Sequence, residues 1–227
     1  MNQDQQLLAL LQLASPSLPL GAYSYSEGLE TLVEQGKITN PEALFSWLKT
    51  ELNYGNIRLE TAVMLRSYQA FLECDIEKLI FWNHWLTASR ESRELRQQSW
   101  QMGNSLMKLL LSLKSHPNLM TIKEHLTIDC NYGIAFGIGA ALWEIEAIWA
   151  VLGYLQSWAS NLVSIGVKLI PLGQTAGQVV LSQLNEIIAI EAPKILGLEN
   201  DDLMTCSLGL GLASLQHETL YSRLFRS

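Results

Sequence analysis

Histidine and cysteine are the side chains here best suited to hold a soft metal ion. The chain has four histidines, His84, His116, His125 and His217, and three cysteines, Cys74, Cys130 and Cys206. No two histidines stand four residues apart, and the cysteines form no Cys-x-x-Cys pair. His217 and Glu218 are the most suggestive pair, yet neighbouring side chains on a helix diverge by about 100°. A permanent metal cage is therefore not predicted. Nucleotide chemistry lacks its loop, because no Gly-x-x-x-x-Gly-Lys-Ser/Thr run is present. Gly133, Gly137 and Gly139 are clustered, but no predicted strand precedes them and no lysine follows, so they read as packing residues. A Gly-x-Ser-x-Gly elbow for a serine nucleophile is also missing. No catalytic residue and no cofactor are nominated.

What remains is chemistry of recognition. Arg90, Arg93 and Arg96 recur every three residues, with Glu91 and Glu94 between them. Either they form a solvated helix face with local ion pairs, each worth a few tenths of a kcal/mol, or they present arginine to an acidic partner. The stretch from Ser15 to Glu30 is longer than a plain connection needs. Its Tyr23 and Tyr25 are either buried or part of an interaction surface. The C-terminal segment 216–227 carries His217, Glu218, Leu220, Tyr221, Arg223, Leu224, Phe225 and Arg226. Chain ends are usually polar and frayed, whereas aromatics and arginine anchor interfaces. This tail either packs on its own domain or orders on a partner.

The elements that would position these residues are helical almost throughout. Leu7, Leu8, Leu11 and Ala14 predict a first helix over about 4–14, broken by Ser15-Pro16. Ser26 is a candidate cap for a second helix ending at Gly36, and Asn40-Pro41 starts a third. Asp75 and Ser92 begin later helices, the second of them running to about Lys114. Residues 115–130 are the least defined, with a short helix expected after Thr121. Gly133, Gly137 and Ala141, four apart, would let another helix approach closely. Further helices are expected over 147–170, 174–196 and about 201–216. The expectation is an all-α, single-domain bundle of roughly ten helices spanning 1–227.

Composition narrows the setting. Of the 227 residues, 48% are hydrophobic and only 16% charged. That charged share is well below the roughly 25% of soluble domains, so some apolar surface awaits a partner or a large core. A net charge of −7 disfavours nucleic acid. The most apolar window, 133–155, contains Glu144 and Glu146, which argues for a buried helix pair over a membrane span. Three scattered cysteines and an opening without a positive run fit a reducing cytoplasm.

Four blocks resemble one family. Leu10-Leu11-Gln12-Leu13-Ala14-Ser15-Pro16-Ser17-Leu18-Pro19-Leu20-Gly21, with Tyr23-Ser24-Tyr25-Ser26 and Gly28-Leu29-Glu30, is similar to the N-terminal signature of the UreF family of urease accessory proteins. The stretch from Ala88 to Arg96 resembles its central arginine–glutamate helix. Lys168 to Gln174 resembles a third block, and Gln216-His217-Glu218 through Ser227 resembles the family's terminus. The blocks occur in order over nearly the whole chain.

The resemblance implies a cytoplasmic, non-catalytic chaperone of metallocentre assembly and a homodimer. It implies a complex with the D-type accessory protein (H-type in some species) and the G-type GTPase, docked on the urease apoprotein. GTP hydrolysis would then be coupled to nickel insertion, with the E-type metallochaperone upstream. Tyr221, Arg223 and Phe225 of the tail would anchor the D-type or G-type partner. Tyr23, Tyr25, Arg90, Arg93, His217, Glu218 and Arg226 are further contact candidates. Lys168 would meet the GTPase or form a structural ion pair. Two alternatives stay open. One is a GTPase-activating protein with a catalytic arginine. The other is a nickel cation-binding metallochaperone, for which Cys206 and His217 offer at most a transient contact.

Overall fold

The computed structural model describes residues 2–114, 116–205 and 207–227. Met1, Ser115 and Cys206 lie outside the described residues, and with Cys206 goes the suggested approach to His217. The described chain is all-helical: α1 (Gln3–Leu13), α2 (Leu29–Glu34), α3 (Pro41–Tyr54), α4 (Asn56–Leu72), α5 (Ile76–Ala88), α6 (Arg93–Leu113), α7 (Pro117–His125), α8 (Tyr132–Leu142), α9 (Ala147–Leu169), α10 (Gln174–Leu196) and α11 (Leu208–His217). No strand occurs among the described residues.

Several starts are set by side chains that cap free amides. Asn40 accepts from Ala43 N at 2.8 Å, with Pro41 in the first turn. Asp75 accepts from Lys78 N at 3.0 Å, and Ser92 from Leu95 N at 3.1 Å. Three boundaries differ from expectation. Pro117, whose fixed φ suits a first helical position, starts α7 four residues before Thr121. Residues 200–202 form only a 3-10 turn, because the Asp202 carboxylate bonds back to Glu199 N at 3.2 Å. The last helix therefore begins at Leu208 rather than near Asp201. Gly28, with φ of 77°, opens α2, and a side chain there would press on Ala213 and Ser214 of α11. The Ser26 oxygen accepts from Glu30 N of α2 only at 3.5 Å, and its hydroxyl proton is donated to the tail, as described below.

The centre of the molecule is the pairing of α4 with α8. All ten residues from Gly133 to Leu142 are buried. Gly133 lies over Glu60 and Gly137 over Met64, so two small residues one turn apart match two positions one turn apart on α4. A β-carbon at 137 would overlap the Met64 carbonyl oxygen. The two backbones thus touch, as the four-residue spacing predicted. α6, α9 and α5 surround this pair, and α10 packs along α9 and α3. One apolar core runs from Leu13 in α1 to Ala213 in α11. Glu144 and Glu146 sit in the turn between α8 and α9. No described helix is long and apolar enough to cross a membrane.

Candidate functional site

α11 packs against α2 and α6 and carries the chain into the tail. The tail does not leave the body. It folds back over α2 and is held chiefly through main-chain groups. Glu30 of α2, buried, accepts from Leu224 N at 2.7 Å and Phe225 N at 3.1 Å. Arg226 N donates to Ser24 O at 2.8 Å. The Ser227 main-chain oxygen accepts from Ser26 N at 2.7 Å and from the Ser26 hydroxyl. The Ser227 hydroxyl donates to Gln98 Oε1 at 2.7 Å.

His217 lies beneath this segment, fully buried. Its Nε2 is 2.9 Å from Glu30 Oε2 and its Nδ1 is 2.8 Å from Glu94 Oε2. Arg223 Nη1 donates to the other Glu94 oxygen at 2.7 Å. Two carboxylates therefore gather an imidazole, a guanidinium and two amides. The outward side is apolar by contrast. Leu208, Leu212 and Leu215 recur along one face of α11 and are exposed, as are Tyr221 and Leu224.

Beside the tail is a cavity of about 60 Å³ with mixed polar and apolar walls. Glu27, Glu51, Glu60, Arg90, Tyr154 and Trp158 contribute to its wall. Arg90 pairs with Glu60, and its Nη2 donates to Ser99 Oγ at 3.2 Å. Glu27 takes Trp158 Nε1 and Gln98 Nε2, each at 2.9 Å. Gln98 thereby links the cavity wall to Ser227. Burial pushes the Glu51 carboxyl up to about 7, aided by the charge of Glu27 and opposed by the Ser207 hydroxyl. Burial likewise raises Glu27, against the hydrogen bond from Trp158. These carboxyls bind protons more readily than ordinary ones, and Arg90 neutralises Glu60.

The structure divides the residues nominated from sequence. Tyr23, Arg93, Lys168, Glu218, Tyr221, Arg223 and Arg226 are exposed, and Phe225 is half-buried. Three corrections follow. Arg90 is not on a solvated helix face: Ser92 starts α6, which leaves Arg90 in the preceding turn with its side chain 9% exposed in the ion pair with Glu60. Tyr25 is buried. His217 cannot touch a partner while the tail is closed. Sequence reasoning missed Glu30, Glu94 and Gln98 as the residues that hold the tail. Their partners lie more than a hundred positions away, and no local spacing announces that. The available signal was an apolar tail ending in residues that demand a dock.

Among the described residues, no group of three or more His, Cys, Asp or Glu is arranged to hold a metal ion. Cys74 and Cys130 are free thiols, and burial pushes Cys130 up to about 12.

Known proteins extend these observations. The UreF family model matches residues 38–185. A protein of a Nostoc species named urease accessory protein UreF is 56% identical over 224 residues, covering 99% of this chain and 97% of its own length. One of the same name from Microcystis aeruginosa is 53% identical over 227 residues, with 100% of both chains covered. Another from Pseudoalteromonas translucida is 39% identical over 226 residues, covering 100% of this chain and 96% of its own.

Proposed function

The chain belongs to the UreF family, and on that premise we propose that this urease accessory protein is a non-catalytic scaffold. It bridges the D-type accessory protein and the G-type GTPase, so that GTP hydrolysis drives nickel insertion into the urease apoprotein. It works in the cytoplasm, as a homodimer. One observation carries this reading. Leu208, Leu212 and Leu215 stand exposed on a single helix face, and Tyr221 and Leu224 are exposed on the tail that follows it. Exposed apolar residues gathered in this way mark sites of protein contact. Arg226 adds exposed positive charge to an acidic molecule. Because the main chain of this region is already fixed, docking there costs little ordering entropy.

The test is co-expression with the D-type and G-type proteins, then size-exclusion chromatography with light scattering. The expected species contains two copies of each protein. Cutting off the tail is not a clean variant, since it strips the partners from buried Glu30. Leu212→Asp with Tyr221→Ala alters only exposed side chains. That variant should keep its helical circular dichroism and lose the complex. If the double variant assembles normally, the docking surface is elsewhere. GTP turnover stimulated by the chain alone, and lost on replacing Arg93 or Arg226, would favour an activating role for the GTPase. Stoichiometric nickel in equilibrium dialysis would favour a metallochaperone.

A further inference from the structure

The tail is closed by ionisable groups, and their protonation states are constrained by geometry. A neutral imidazole has one donor nitrogen and one acceptor nitrogen, whereas an ionised carboxylate only accepts. His217 presents both nitrogens to carboxylate oxygens, at 2.8 and 2.9 Å. Glu30 accepts amides on both oxygens and Glu94 pairs with Arg223, so both are held as carboxylates, and a neutral ring would turn a lone pair on one of them at direct contact in a buried site. Were the ring doubly protonated, both contacts would become charge-assisted hydrogen bonds. The charge balance agrees. Glu30 and Glu94 bring two negative charges, and Arg223 with an imidazolium brings two positive ones. A neutral ring leaves the cluster with a buried excess negative charge, which is costly.

Other ionisable groups on the neighbouring elements do not supply the missing charge. Glu91, which packs against Gly211 of α11, is taken by Asn56 Nδ2. Glu27 is taken by Trp158 and Gln98. Glu34 and Arg93 are exposed, as is Glu218 at the end of α11. Arg96 is half-buried and forms no ion pair with either carboxylate.

We propose that the tail is a proton-controlled strap. His217 is an imidazolium while residues 218–227 lie closed over α2, and loss of one ring proton frees that segment while α1–α10 stay folded. The direction follows from the contacts. Protonated His217 satisfies Glu30 and Glu94 together. Raising the pH withdraws one donor, and the carboxylate left facing a lone pair pulls apart from it. Glu30 is also the acceptor for Leu224 N and Phe225 N, so a shift of that carboxylate disturbs the tail directly. Opening also withdraws Arg223 from Glu94 and Ser227 from Gln98. The strap works in this way whichever protein docks on it.

Two measurements on the intact chain test this. The first is nitrogen-15 NMR of imidazole-labelled protein, with His217 distinguished from the other histidines by a His217→Gln sample. Both ring nitrogens should carry protons wherever the tail is closed. The second is amide exchange at Leu224, Phe225 and Arg226 between pH 6 and pH 9, corrected for intrinsic rate. Protection should fall about tenfold or more as pH rises, while amides of α8 and α9 hold theirs. In His217→Gln, tail protection should be low and independent of pH. A ring nitrogen found unprotonated in the closed state overturns the proposal, with no variant needed. So does tail protection that is flat across this pH range, or a pH dependence that survives in His217→Gln.

Discussion

The α4–α8 contact and the tail strap are two ways of holding a helical protein together. In the first, glycines bring two backbones into touch, and all ten residues of α8 from Gly133 to Leu142 are buried. Its strength comes from close packing, which is all-or-none. In the second, a few carboxylates gather donors from distant parts of the chain. That arrangement is local, can be opened in part, and depends on charge. The molecule is thus rigid where it needs only to stand and adjustable where its exposed apolar face lies.

The largest test of this contrast is Gly137→Leu. The side chain would enter the Met64 backbone, which cannot repack, so roughly 4 kcal/mol or more of global stability should be lost. Urea unfolding would show a lower midpoint by every probe. Next is Glu30→Ala, which orphans two amides and one face of His217. Local opening of the tail should become easier by about 3 kcal/mol. Proteolysis near residue 224 should accelerate while the melting temperature of the body moves little. A common loss of tail and body would erase the distinction.

Glu51 sits between the two regimes, since it is on α3 yet bonds Ser207 at the start of α11. Its carboxyl is raised to about 7, above the 4.5 of an unstrained glutamate. The folded state therefore holds a proton that the unfolded chain releases, and stability falls as pH climbs from 4.5 to 7. Glu51→Gln should remove the penalty. At pH 8 the variant should be more stable by about 2–3 kcal/mol, an advantage that vanishes by pH 4.5. Denaturant titrations at both pH values would check it. The smallest effect expected is Asn40→Ala, the lost cap of α3, at about 1 kcal/mol and without pH dependence.

Much of the body was legible because its rules are local. Asn40, Asp75 and Ser92 act within three residues of themselves, and Gly133 and Gly137 announce a close contact by spacing alone. The partner helix was not named by that spacing, since α4 lies some seventy positions earlier. The tail was recognised as a segment seeking a dock, but its dock was left open. Glu30 and Glu94 look like ordinary acidic residues in helical stretches. Only tertiary structure shows that they meet His217 from two different helices. Arg90 was misplaced for a related reason. A three-residue rhythm of arginines suggested one face, although the Ser92 cap already put the helix start after it. Ser26 caps α2 only weakly, its oxygen 3.5 Å from Glu30 N, while its hydroxyl donates to the Ser227 main-chain oxygen from the far end of the sequence.

The pairing of α4 with α8 also sets an order of events during synthesis. α4 is buried on most of its sides, yet its principal neighbour is not made until the ribosome has passed residue 142. Until then α5 and α3 cover only part of the apolar surface of α4, and the rest stays exposed, a state that invites aggregation. Closing so long a loop costs little extra entropy once it happens, but it delays the first stable contact. α2 waits longer still, because its Glu30 is not sheltered until residues 217–225 emerge. A nascent chain stalled before α8 should therefore depend on holding chaperones in a way that the finished protein does not.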